Sequence, residues 1–404
     1  MPPDRTRASA VPLGRLVLIL GMLTAVAPFA IDTYLPAFHR MAVSFGTGDG
    51  SIEATLSIFF LGLALGQAIY GPLIDRFGRR GPLLIGVGIY LTATLLCLFT
   101  SDITVFTGVR LLQAIGGCAG MVIGRAIVRD LFDARDGARV LSLLMMVVTL
   151  APIVAPLLGG WIIAVSDWRM IFVFLGVFGV LCLLLVWLGL PETLPVRDRR
   201  ALGLGSAFRT YGRLCRHRQF IVPALAGGLA QASMFAYITG SPFVFIGLFG
   251  VSEQHYGWLF GMNAIGLIIA AQGNRIGLRR WSPSALLGAA LAVNVLAALG
   301  LLAVAGSGSL VTILVSLWFV IASLGFIGAN SAAIAMAASG EDAGSGSALI
   351  GVLQFGLAFL ASSLVAAGQN GTAHPMAIAI AISGLSAGVL WLAGPSGARG
   401  RGQT

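Results

Sequence analysis

Long apolar runs, separated by short polar or charged turns, make up most of the chain. A helix rising about 1.5 Å per residue needs about 20 such residues to cross a hydrocarbon layer of about 30 Å. On that rule helices are expected at Leu16–Phe38, Ile52–Ile74, Leu83–Thr100, Val105–Val128, Val140–Val165 and Met170–Leu190. The stretch from Pro191 to Gln219 breaks the pattern. It carries Arg197, Arg199, Arg200, Arg209, Arg213, Arg216 and Arg218 and is too polar to span. Six more runs follow, at Phe220–Leu248, Tyr256–Ile276, Pro283–Ala305, Leu310–Ala333, Ser345–Ala367 and Pro375–Ala393. The pattern predicts an all-α integral membrane protein of twelve transmembrane helices. It predicts two pseudo-symmetric six-helix bundles over residues 1–190 and 220–404, joined by a cytoplasmic linker loop at 191–219.

Composition agrees. The chain is 57% hydrophobic and 10% charged, against about 25% charged in soluble domains. Every basic residue is Arg, and the net charge is +10. The arginines are scattered over short loops rather than gathered on one face, so they read as topology signals facing anionic lipid, not as a nucleic-acid surface. An even number of spans puts both termini on one side. All arginines fall in the tails or loops of that side except Arg40 and Arg169, opposite, and Arg110 and Arg125, inside the fourth span. Both termini are therefore expected in the cytoplasm. Arg5, Arg7 and Arg15 precede the first run as in a signal peptide, but the run continues past Phe29 without a clear small-residue cleavage site, which predicts an uncleaved first span.

Candidate chemistry is sparse. Cys97, Cys118 and Cys182 lie in apolar runs and Cys215 in the basic linker, which fits neither a disulfide framework nor a zinc site. His39, His217, His255 and His374 sit at span ends or in loops. No metal cluster, nucleophile–base set or phosphate-cradling loop stands out, so neither an enzyme nor an ATP-driven pump is expected, and no cofactor.

Asp32 is the most informative single residue. Seventeen residues past Arg15, it lies roughly 25 Å along the first helix. A carboxylate in hydrocarbon must be paired, hydrated or protonated, which makes Asp32 a candidate proton carrier. Arg110, early in the fourth span, is its expected partner. Arg110, Gln113 and Gly117 share one helix face, and the Gly-rich continuation to Gly120 allows close approach of a neighbour. Further on, Pro152 and Pro156 bend the fifth span, and Gly159-Gly160 opens it to close packing. In the second half the polar residues Gln231, Asn263, Asn330 and Gln354 stand near Met234, Phe235, Tyr237 and Phe355. With Tyr34 and Gln113 of the first half they are candidates to line a site for amphipathic ligands.

The turn Gly71-Pro72-Leu73-Ile74-Asp75-Arg76-Phe77-Gly78-Arg79-Arg80 resembles the signature loop between helices 2 and 3 of the major facilitator superfamily of transporters. Asn274-Arg275-Ile276-Gly277-Leu278-Arg279-Arg280 reads as a worn second copy, as expected of paired halves with a substrate site between them near the midplane. The resemblance implies a conformational lock built from Gly71, Asp75, Arg76, Gly78, Arg79, Arg80 and Asp130, with Asp130 pairing Arg79 and Asp75 capping the start of the eleventh helix. Arg110 to Ala114 is similar to the family's fourth-helix motif, with Ala114 in place of a Gly. That likeness implies a proton-coupling role for Arg110 beside Asp32. Pro152 to Gly160 resembles the antiporter motif of drug exporters, with Ala155 at its first Gly. Asp32 to Pro36, Arg125 to Phe132, Leu150 to Trp161 and Ser241 to Phe245 are similar to the bicyclomycin and chloramphenicol/florfenicol resistance branch. What that branch implies is a monomeric drug:proton antiporter in a bacterial inner membrane, with protons, a small drug or metabolite and the bilayer as partners. Export of a natural metabolite or amino acid, with incidental drug efflux, is the alternative.

Overall fold

Pro36 decides where the first helix stops. It has no N–H to give the carbonyl of Asp32, and its ring crowds that carbonyl. In the computed structural model, which describes residues 12–196, 199 and 204–394, helix α1 (Leu13–Asp32) therefore ends at Asp32. A 3₁₀ turn (Leu35–Ala37) follows, and then a short helix α2 (Phe38–Phe45). The continuous first span expected over Leu16–Phe38 is thus a helix broken at its outer third. Arg5, Arg7, Arg197, Arg200 and the C-terminal tail lie outside the described residues.

The remaining helices follow the apolar runs within a few residues. The first half continues with α3 (Asp49–Phe77), α4 (Arg80–Phe99), α5 (Ile103–Leu131), α6 (Ala134–Val165) and α7 (Arg169–Gly189). The second half holds α9 (Arg218–Pro242), α10 (Glu253–Gly277), α11 (Pro283–Val304), α12 (Leu310–Ser339), α13 (Ala343–Ala367) and α14 (His374–Ala393). The linker, expected as a loop, contains a helix of its own, α8 (Leu204–Arg216). Its Tyr211 and Leu214 are buried against Phe220, Ala335 and Leu349, with Arg209, Arg213 and Arg216 on the other faces.

The fold is the twelve-span arrangement. Eleven helices are long and apolar enough to cross a membrane among the described residues. The twelfth, α10, carries Glu253, Gln254, His255, Asn263, Gln272, Asn274 and Arg275, which lowers its mean hydropathy. It nevertheless presents an outward stripe of Trp258, Met262, Ile265 and Ile269 at helical spacing. Exposed Leu, Val, Ile and Trp side chains on nearly every helix suit an environment of lipid tails rather than water.

Within the first half α3 and α4 pack on α5, α1 on α6 and α4 on α7. Within the second half α11 and α10 pack on α12, and α14 on α9 and α11. Two antiparallel seams cross between halves, α3 against α13 and α6 against α10. Glycine makes both close. A Cβ on Gly351 would meet the Gln67 side chain at 2.8 Å, and one on Gly257 would meet the Leu157 backbone N at 2.8 Å.

Candidate functional site

The break in α1 positions the central groups. Asp32 is 2% exposed, and its Oδ1 has no hydrogen-bond partner. It lies within electrostatic reach of Tyr237 and Tyr256 of the second half. Gly159 of α6 passes over the backbone oxygen of Thr33, close enough that any side chain there would clash. Its neighbour Gly160 rests on the carbonyl of Glu253, where a Cβ would come to 2.5 Å. The prolines Pro152 and Pro156 are accommodated inside the continuous helix α6. The two glycines thereby clamp α6 between the α1 break and the start of α10.

Arg110 does not pair with Asp32. Its guanidinium sits 4.3 Å from the ring centres of both Tyr34 and Phe59 and 5.9 Å from that of Phe172. One nitrogen donates to the Ala30 carbonyl at 3.0 Å, and another to Gln113 Oε1. The physical reason is the helix end. The last-turn carbonyls of α1 carry the negative end of its dipole, and three aromatic faces favour a cation. Arg110 is thereby held without a carboxylate and is fully buried.

Two expected ligand-contact residues belong to this scaffold instead. Gln113 is buried, donating to Thr94 Oγ1 at 2.7 Å, and Tyr34 is buried with its hydroxyl 3.3 Å from Thr55 Oγ1. Neither is open to a ligand. In the second half Asn263 donates to the Tyr237 hydroxyl at 3.1 Å, and Tyr237 stacks on Phe260 at 5.2 Å. Tyr256 pairs with Ser241 at 2.8 Å. Phe235 joins Phe355 of α13 and, across the halves, Phe60 of α3 at 4.8 Å. Gln231 packs on Gly328, with its Oε1 unpartnered. Met234 and Gln354 are half-buried. Asn330 serves packing: it donates to Asn274 at 2.7 Å, a neutral counterpart in α10 and α12 of the ion cluster in the first half.

That cluster holds the Arg-rich end. Arg79 Nε donates to Asp130 at 2.8 Å and its NH1 to Asp75 at 2.9 Å. Arg79 is only 4% exposed and Asp130 little more, so their bond is shielded from water, whereas Asp75 is half-exposed. Gly78 has φ +89, in the region that favours glycine, and a Cβ there would meet the Glu192 carboxylate. Glu192 accepts from the backbone N–H of Arg79 at 2.8 Å and of Arg80 at 3.2 Å, capping the first turn of α4. Arg80 reaches the Trp187 carbonyl at 2.7 Å, and Arg76 lies against Phe77. Gly71 faces Ala348 and Tyr211. Asp75 does not cap α13: Arg79 takes its Oδ1, and α13 starts with no side-chain cap.

Sequence reasoning missed two features. At the end remote from this cluster, Arg40 binds Glu253 through both oxygens at 2.8 and 2.5 Å and the Ile163 carbonyl at 2.7 Å. At the same end of the α3–α13 seam, Gln369 donates to the fully buried Glu53 at 2.8 Å. Both contacts join the halves. A lone Glu one residue into an apolar run was the available signal for Glu53. Arg40 and Glu253 carry no such mark. The second feature is a chamber of about 340 Å³ at the Arg-rich end, between α3, α5, α8 and α13. Arg125, at the inner end of the fourth span, was its signal.

A family model described as Major Facilitator Superfamily matches residues 20–363. An uncharacterised MFS-type transporter, YdgK, of Bacillus subtilis (strain 168) is 35% identical over 77% of this chain and 78% of its own length. A bicyclomycin resistance protein homolog of Haemophilus influenzae is 31% identical over 78% of each chain. Among solved structures, a D-xylose-proton symporter superposes with a TM-score of 0.73 at 15% identity, over 95% of this chain and 98% of the symporter.

Proposed function

The chain belongs to the major facilitator superfamily, on the branch that includes the bicyclomycin resistance proteins, and from that premise we propose that it is a drug:proton antiporter. As a member of that superfamily it is a multi-pass membrane transporter and not an enzyme. The proposed cargo is small amphipathic compounds, moved out across a bacterial inner membrane. The driving force is the proton gradient, with no cofactor. The relative named for bicyclomycin resistance supports the choice of cargo.

The observation that carries the reading is Asp32, a buried carboxylate with a free oxygen at a helix break, within electrostatic reach of tyrosines of the other half. An acid placed there changes its surroundings when the halves rock against each other. With Arg110 committed to Ala30 and Gln113, Asp32 has no fixed counter-ion, so its proton is free to respond to that change. Drug and proton then compete through one group, and each alters the other's binding free energy reciprocally. The seam at Arg40–Glu253 and Glu53–Gln369 must part for release on the far side.

The test uses purified protein in proteoliposomes with an imposed pH gradient and a panel of amphipathic compounds. Wild type is expected to move substrate uphill and Asp32→Asn to bind it without uphill transport. Wild-type rates from Asp32→Asn would overturn the reading. A susceptibility panel in an efflux-deficient host, with and without a protonophore, identifies the compounds.

A further inference from the structure

We propose that the chamber at the Arg-rich end is an anion site that receives the carboxylate or phosphate group of a small organic solute. It is separate from the Asp32 site and stands whether or not transport is proton-driven. Its volume of about 340 Å³ falls in the range of about 300–1,000 Å³ common to small-molecule sites.

The charges in its wall are unevenly matched. Asp75 and Asp342 line it, and both are engaged: Asp75 with Arg79 at 2.9 Å, Asp342 with Arg213 at 2.6 Å. Arg125 and Arg129 line it too, and neither has a carboxylate partner among the described residues. Arg125 donates only to the Met121 carbonyl at 3.1 Å and to Gln67 Oε1 at 3.3 Å. The two arginines stand at i and i+4 on one face of α5, where like charges repel.

A third positive feature meets them. The first turn of α13, entered from a 3₁₀ turn (Gly340–Asp342), has no acidic residue and no side-chain cap. Its natural cap, Asp342, is turned to Arg213. Arg129 lies against this turn, with one nitrogen 3.8 Å from where a Cβ on Gly344 would stand. A guanidinium beside the positive end of a helix dipole is unfavourable unless an anion sits between them. Arg125 lies six residues before the end of α5, about 9 Å into the span. Both side chains are exposed to the chamber rather than to lipid. A carboxylate or phosphate there relieves both repulsions at once, accepting from the two guanidinium forks at the positive end of α13. Tyr211 and Ser345 complete the wall with hydroxyls.

The experiment is calorimetric titration of the purified full-length protein in a neutral maltoside detergent. The probes are sodium benzoate and inorganic phosphate at fixed ionic strength, with phosphatidylglycerol as a third arm. Saturable binding of benzoate, phosphate or both is expected. Arg125→Gln and Arg129→Gln each weaken it at least tenfold, and Arg139→Gln, an exposed arginine of α6, leaves it unchanged. In parallel, the wild-type Tm rises with the binding anion but not with chloride, a readout that needs no variant to fold. No saturable binding by wild type, equal affinity in all variants, or binding of phosphatidylglycerol alone would each overturn the proposal.

Discussion

Arg110 and Asp32 share the last turn of α1 without meeting. Arg110 takes the carbonyl of Ala30 at 3.0 Å, while Asp32, two residues on, keeps an unpartnered oxygen beside the second half. The helix break at Pro36 produces both facts. It leaves a carbonyl-rich end for the cation on one side and an unpaired acid on the other. The two groups form no direct ion pair; what joins them is the last turn of α1.

Arg110 is predicted to be a structural anchor as well as a tuning charge. Arg110→Ala leaves the buried Gln113 Oε1 and the Ala30 carbonyl without that donor and opens a cavity between three rings. A loss of about 3–5 kcal/mol is expected, the usual cost of emptying a well-packed buried site. Arg110→Lys recovers only part, because a single ammonium cannot reproduce the fork. Thermal unfolding in detergent checks this. A Tm equal to wild type in Arg110→Ala would contradict it.

Gly159→Ala is predicted to be worse than a generic glycine change in a span. The added methyl would run into the Thr33 backbone, which cannot move without shifting Asp32. Overpacking of about 1–3 kcal/mol is expected, with transport reduced at equal expression. Gly88→Ala, with open space around it, is the control and should be neutral.

The clamp of Arg40 on Glu253 is partly exposed, Arg40 being 45% so, and its contribution is discounted to about 1 kcal/mol. That is a fivefold bias between closed and open far ends. Glu253→Gln should raise the labelling rate of a cysteine placed at Ser51, at the same end of the α3–α13 seam, by a comparable factor. An unchanged rate would show that the pair is ornamental to gating.

Topology is tested at Cys215, the exposed cysteine of α8. Cys97, Cys118 and Cys182 are buried. An impermeant thiol reagent is expected to label Cys215 in inside-out vesicles and not in intact cells. Labelling from outside would invert the assigned orientation.

The α-helical class, the number of runs and the Arg-rich turn were legible in the chain because hydrocarbon forbids unpaired backbone groups. Each crossing must be one long apolar helix, and each return a short polar turn. The α1 break went unread: the apolar run continues through Pro36, and hydropathy does not register a missing N–H. Which groups meet was another matter. Asp32 and Arg110 stand at compatible depths, yet depth says nothing of direction around a helix. Arg110 packs on Tyr34, Phe59 and Phe172, and Asp32 lies within electrostatic reach of Tyr237 in the other half. The contact of Arg40 with Glu253 spans 213 residues of sequence and depends on two seams closing. The bare arginines of the chamber emerge only when Asp75 and Asp342 are seen taken by Arg79 and Arg213. A sequence specifies which charges exist and how deep they lie; their partners follow from helix rotation and from packing between halves, which only tertiary structure resolves.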